Sequence, residues 1–298
     1  MSRPSIAVAR LAAFLACSCL VGLCGQGVAR AAALAGAPEL AADKWASEPA
    51  SPITDHFAIR AGYFWGTAAT SGVITDPTAA TPGTPFSLEN DFHLSPRARQ
   101  LRVEFLFRMR ERSRLRVDTW ELNRNGLASP LSNITYGGNT FTSADQVHSV
   151  FDWRQVDFTY TYSFVRRSRF ELGAGLGLHL LQAEASADVS PSITRPTAVH
   201  EDFSGAGPFA TVALDGNWRL TRRLALAARG QYLNLHIRSV AGSLGDYHAD
   251  LQFRWRANVA IGLGYQSTLA RLEVSQHNPD GTLHLGLHGP ELFLRASF

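Results

Sequence analysis

Three groups of residues in this chain have types and spacing suited to chemistry. The run Ser87-Leu88-Glu89-Asn90-Asp91-Phe92-His93 gathers a hydroxyl, two carboxylates, a carboxamide and an imidazole within a few positions, the groups that acid–base and nucleophilic catalysis draw on. His284 and His288 stand four apart, which on a helix is metal-ligand spacing. Their segment alternates as a strand, however, and at about 3.3 Å per residue two side chains four apart are separated by roughly 13 Å, too far to share one ion. The third group is a ladder of charges, Arg102, Glu104, Arg108, Asp157, Asp250, Arg254 and Arg256, on the polar faces of alternating segments. Rings of charge set ion selectivity in a pore. Paired across strands, the same groups fill a narrow lumen instead. The remaining histidines and serines, such as His179, His236, His248 and Ser275, show no spacing that ties a nucleophile to a base. The glycine runs at 173–177 and 262–264 lack the dinucleotide-binding spacing and open no helix. They are expected to leave room for long side chains from neighbouring strands. No cofactor and no metal are expected.

The elements that must position these groups are strands. Leu101, Val103, Phe105, Phe107 and Met109 alternate with Arg102, Glu104, Arg108 and Arg110. Val156, Phe158, Tyr160, Tyr162 and Phe164 alternate with Gln155, Asp157, Thr159, Thr161 and Ser163. Period-two alternation recurs through 169–184, 207–220, 224–240, 246–255, 259–275 and 282–298, which predicts an all-β, antiparallel sheet. A change of phase over 230–237 suggests a bulge. Short turns fall at 111–113, 166–168, 221–223 and near 257, and long connections at 68–98, 125–149 and 185–201. That asymmetry is the one shown by transmembrane barrels, with short periplasmic turns and long external loops. The count is ten strands. Segments 84–92 and 132–142 would raise it to twelve, and loss of the weakest pair would lower it to eight. Phe107, Phe164, Phe170, Trp218, Trp255 and Phe298 lie close to the short turns or the C-terminus and are expected to form an aromatic girdle at one membrane interface.

The N-terminus points to export. Arg3 and Arg10 precede an apolar run from Leu11 to Leu23, followed by Ala33-Leu34-Ala35, the layout of a secretory signal peptide. Residues 1–35 are therefore expected to be removed, 36–55 to form a flexible periplasmic lead-in, and 56–298 to form the barrel. All three cysteines (Cys17, Cys19, Cys24) lie in the leader, so the mature chain has no thiol chemistry. The full chain has 28 Lys+Arg and 25 Asp+Glu. Without residues 1–35, which carry Arg3, Arg10 and Arg30 and no acid, 25 of each remain. A balanced mature chain gives no nucleic-acid signal.

The C-terminal segment is the most specific motif. Leu292, Leu294, Ala296 and Phe298 share one strand face, Glu291, Arg295 and Ser297 lie on the other, and Phe293 is the exception. This pattern resembles the closing strand of Gram-negative outer-membrane β-barrels. The resemblance implies an up-and-down barrel in the outer membrane, in contact with its lipid and lipopolysaccharide. It also implies that the terminal aromatic and the apolar positions before it are read by the barrel-insertion machinery. It names no cargo. The reading is a narrow pore or a structural and surface-interaction barrel. A second resemblance gives the alternative: Glu89-Asn90-Asp91-Phe92-His93 has a Glu-Asn-Asp-x-Phe-like look, similar to the N-terminal motif of outer-membrane lipid A deacylases, in which Asn and Asp belong to the active site. The Tyr-Thr-Asn-Gly segment that follows in that family is replaced here by Leu94-Ser95-Pro96-Arg97.

Overall fold

Residues 52–75, 83–130, 133–136, 139–190, 198–237, 240–274 and 280–298 are described by the structure, a computed structural model. The expected signal peptide and residues 36–51 of the expected lead-in lie outside the described residues. The strands are β1 (Phe57–Thr75), β2 (Phe86–Ser87), β3 (Arg97–Arg110), β4 (Ser113–Ala128), β5 (Ile134–Tyr136), β6 (Asn139–Phe141), β7 (Val147–Arg166), β8 (Phe170–Val189), β9 (Val199–Arg219), β10 (Leu224–Ile237), β11 (Val240–Arg256), β12 (Val259–Val274) and β13 (Asp280–Ser297). Ten of them pair in antiparallel sequence order, with β4 next to β7, and β13 returns to β1 to close the barrel. Closure removes every free edge, which a lipid-embedded sheet requires because hydrocarbon cannot satisfy a backbone N–H or C=O.

The two extra segments do not join the wall along its length. β2 pairs with β1 only through Ser71–Ser87 and Gly72–Phe86, above the point where β3 begins, and β5 and β6 form a separate hairpin. A twelve-strand count is thereby set aside. The strands also run further than alternation indicated: β1 continues to Thr75, β8 to Val189, and β9 begins at Val199.

Along each strand the wall changes character. Next to the short turns the outward residues are apolar and exposed, among them Leu101, Phe107, Phe158, Tyr160, Phe164, Leu176, Leu214, Leu263 and Leu294. Inward residues at the same heights are buried charges. Further from those turns the polarity inverts. On β7 the inward residues become Phe151 and Trp153, both fully buried, while Asp152 and Arg154 turn outward. On β8 the inward side becomes Leu181, Ala183, Ala185, Ala187 and Val189, with Gln182 and Glu184 outside. Segments 83–96 and 133–146 fold into this end, burying Phe86, Leu88, Phe92, Leu94, Ile134 and Phe141 against Trp120, Leu122 and Phe64. The lower part is built for a bilayer and the upper part for water.

This inversion corrects one expectation. The phase change over 230–237 is not a bulge, because β10 keeps a continuous register with β11 from Leu224–Phe253 to Ile237–Val240. Tyr232 is still outward, Leu233 is half-buried and Asn234 is exposed, so polarity changes while the pleat does not. Bulges occur instead beside the short turns, at Arg108/Arg110, Ser163/Val165 and Arg254/Arg256.

Candidate functional site

The site with the most chemistry is the lower lumen. Arginines are long enough to cross a narrow barrel, and their planar fork matches carboxylates from opposite walls. Arg60 of β1 donates to Asp250 at 3.0 Å and to Glu291 at 2.9 Å, and its guanidinium lies 3.5 Å over the Phe293 ring. That explains the exceptional Phe293: it faces inward beneath a cation. Its ring occupies the space beside Gly262, where a Cβ would come within 2.1 Å of it. His248 adds contacts to Asp250 at 3.3 Å and Glu291 at 3.0 Å.

Around this core the pairs form one connected chain. Arg102 donates to Asp118 at 2.7 Å and to Asp246 at 3.1 Å. Asp118 also meets Arg229, which pairs with Glu104, and Glu104 meets Arg116 at 3.6 Å. Arg116 and Arg114 share Asp215, and Arg114 and Arg108 share Glu171, the latter at 2.8 Å. Asp157 pairs with His179, whose other nitrogen lies 3.0 Å from both Thr211 and Gln231. This hydroxyl–imidazole–carboxylate sequence has the order of a catalytic relay. All three residues are buried, and Thr211 also donates to Gln231 at 3.0 Å, so here the relay closes a packed polar cluster. Among the described residues a cavity of about 30 Å³ remains between Arg60, Glu104, Arg114, Arg116, Asp215 and Arg229, enough for roughly one or two waters.

The periplasmic mouth is also filled. Ile53 and Asp55 are buried, Arg108 donates to the carbonyls of Pro52 and Asp55, and Asp55 accepts from Arg254 at 3.3 Å and Arg295 at 3.1 Å. Residues 52–55, expected as the end of a flexible lead-in, are therefore a folded stopper.

Of the expected ladder, Arg102, Glu104, Arg108, Asp157, Asp250 and Arg254 all face inward and are buried. Arg256 does not: the bulge between Arg254 and Arg256 flips its parity, leaving it exposed beside Trp255. Arg60, Asp246, His248, Glu291 and Asp55 were missed as partners. Their inward parity was the available signal, but cross-barrel pairing is invisible until the register is known. Phe107, Phe164, Trp218, Trp255 and Phe298 are exposed and outward near the short turns, and Phe170 is half-exposed there. Leu292 and Leu294 are outward and exposed, and Ala296 is half-exposed. Phe298 accepts from Phe57 at 2.9 Å and donates back at 2.7 Å, so the last residue sits at the barrel seam.

The Ser87–His93 run is structural in its contacts. Glu89 accepts from the Thr70 amide at 2.8 Å and pairs with Arg124 at 2.6 Å, and Asp91 accepts from the Ser87 amide at 2.7 Å. These bonds fold the run inside the upper mouth, away from the lipid-facing wall. His284 and His288 lie on the outer wall. Among the described residues no group of three metal-ligating side chains comes together.

No protein-family model and no curated protein matches the chain. Solved barrels overlap it in shape. The outer membrane protease OmpT from Escherichia coli does so with a TM-score of 0.49 at 10% identity, over 81% of this chain and 97% of its own. The outer membrane protein OprG from Pseudomonas aeruginosa gives 0.36 at 11%, over 81% and 96%. The toluene transporter TodX of P. putida gives 0.33 at 10%, over 85% and 93%. At these values the overlaps carry no activity or cargo across. The apolar exterior itself places the chain in a bilayer, and closed antiparallel barrels with short turns at one end and longer loops at the other belong to the Gram-negative outer membrane. This protein is an integral outer-membrane barrel.

Proposed function

We propose that this barrel is closed to diffusion and acts through its outer wall and extracellular head, as a structural or surface-interaction protein and not as an enzyme. The supporting observation is the ion-pair chain that runs from Arg102 to Arg108 across the lumen with the Arg60–Asp250–Glu291 cluster beside it, stoppered below by Pro52–Asp55 and capped above by the apolar mouth. Interior charges of both signs, each facing its opposite, present no ring of one sign to a passing ion. The aromatic girdle and the C-terminal Leu292–Phe298 face fit the roles of interfacial anchor and insertion signal.

The test is single-channel recording of the refolded mature protein in a planar bilayer. The expected record shows insertion without discrete steps. Reproducible steps, with selectivity shifted by Arg102→Glu, would establish a pore and overturn this reading.

The deacylase alternative is tested by expressing Asn90→Ala and Asp91→Ala variants and analysing lipid A by mass spectrometry. The acyl pattern is expected to match that of cells making the unaltered protein. A change in pattern on expression that either substitution abolishes would restore the enzymatic reading.

A further inference from the structure

The outer wall has a notch just above the apolar belt. Gly245 of β11, Leu269 of β12 and Gly286 of β13 are direct cross-strand neighbours, and Tyr232 of β10 pairs with Gly245. Tyr232 and Leu269 are exposed and Gly286 is half-exposed, while Gly245 is buried beneath the Tyr247 ring. With Tyr247 laid over Gly245 and no side chain at Gly286, the row leaves a groove of about 360 Å³, lined by Tyr232, Tyr247 and Leu269. At the next level up, Arg271 is paired across both neighbours, with Ser243 on one side and His284 on the other. The Arg271 side chain is about half exposed, at 53%.

The charge on the outer wall is uneven at this height. Moving from β12 through β13 and β1 to β3, the outward residues include Arg271, His284, His288, Arg97 and Arg99, with Glu273 as a counter-charge 3.7 Å from Arg271. On the opposite arc, β4 to β9 present Glu121, Asp152, Glu184, Asp188 and Asp202 outward, against Arg154 and His200. Anionic headgroups are drawn to the first arc and repelled from the second. A groove in a lipid-facing wall does not stay empty, because voids forfeit dispersion contacts, and an acyl chain is the filler at hand.

From this shape and charge we infer that the groove seats one acyl chain of a phosphorylated glycolipid of the outer leaflet, with Arg271 at its phosphate. The inference rests on the membrane placement of the barrel and not on closure of its lumen, so channel recordings leave it untouched. Gly286 is the position at which to test it, because a Cβ there would meet its nearest atoms at 3.8 Å, an ordinary contact. Gly286→Leu thus fills the groove without moving the backbone.

The experiment isolates the mature protein in mild detergent, adds lipopolysaccharide, removes excess by size exclusion and measures retained glycolipid by mass spectrometry. Far-UV circular dichroism and melting confirm the fold of each variant. The unaltered protein is expected to retain the glycolipid. Arg271→Ala is expected to lower retention about five-fold, the factor one cation near a membrane surface contributes. Gly286→Leu should lower it at least as much, and Asp202→Asn on the opposite arc should not. Equal retention by folded Gly286→Leu and Arg271→Ala variants would overturn the site. Equal competition by dephosphorylated lipid A would overturn the role of the phosphate, and equal competition by phosphatidylglycerol would overturn the assignment to a glycolipid.

Discussion

Arg60→Ala is expected to destabilise the barrel by about 3–5 kcal/mol, the range seen when one partner of a buried ion pair is removed. The side chain is only 6% exposed and holds two carboxylates, Asp250 and Glu291, which are themselves 2% and 1% exposed. Without it, Asp250 and Glu291 are two buried carboxylates left with the His248 imidazole as their shared neighbour. Arg60→Lys keeps the charge but loses the fork that reaches both acids and the flat contact with Phe293, so an intermediate loss is expected. Reversible urea unfolding in lipid vesicles measures both. The same substitution should be the one most apt to admit ions, because it opens space beside the existing cavity. A loss below about 1 kcal/mol, in the range of exposed pairs, would mean that water already screens this part of the lumen.

Trp153→Ala is expected to cost a similar amount, about 3–5 kcal/mol, at the other end of the molecule and with a different signature. Trp153 is fully buried, its ring lies 6.4 Å from that of Trp120 in a stacked arrangement, and its indole N–H donates to Gln155. It belongs to the apolar filling of the extracellular head, which is surrounded by water and not by lipid. Its loss should therefore expose the upper segments to protease added outside intact cells, while the membrane-embedded strands remain protected and no conductance appears. Unchanged protease resistance would show that the head does not depend on this core.

Much of this is legible in the amino-acid sequence. Alternation at 100–109 and 155–164 located strands and grouped the residues of each face, and the short turns ordered them into ten, but Arg110 lies past the Arg108/Arg110 bulge and is exposed. The partners of the ladder were not legible. Arg60 and Asp250 are separated by 190 positions, and only the register brings them together. Arg256 was misplaced because one extra residue at a bulge reverses parity, and alternation carries no mark of it. The upper half misled for another reason. Phe151 and Trp153 are apolar residues on the face that is charged a few positions later, so alternation continues while the meaning of each face is exchanged. A rule that fixes one face as outward for a whole strand fails at that point.

The exchange of faces also fixes the depth at which the barrel sits. A displacement of the barrel toward the periplasm by two residues would pull the outward carboxylates and carboxamides of β4 and β8, such as Glu121, Gln182 and Glu184, toward hydrocarbon. The opposite displacement would lift Phe158, Leu176 and Leu263 toward water. Both movements are costly, so the protein has one preferred immersion and little vertical play. A bilayer of mismatched thickness would then have to deform around the barrel, since the barrel cannot adjust to it. Neighbouring barrels that impose similar deformations would be drawn together, making local membrane thickness, and not any contact between proteins, a force that sorts this chain into particular patches of the cell surface.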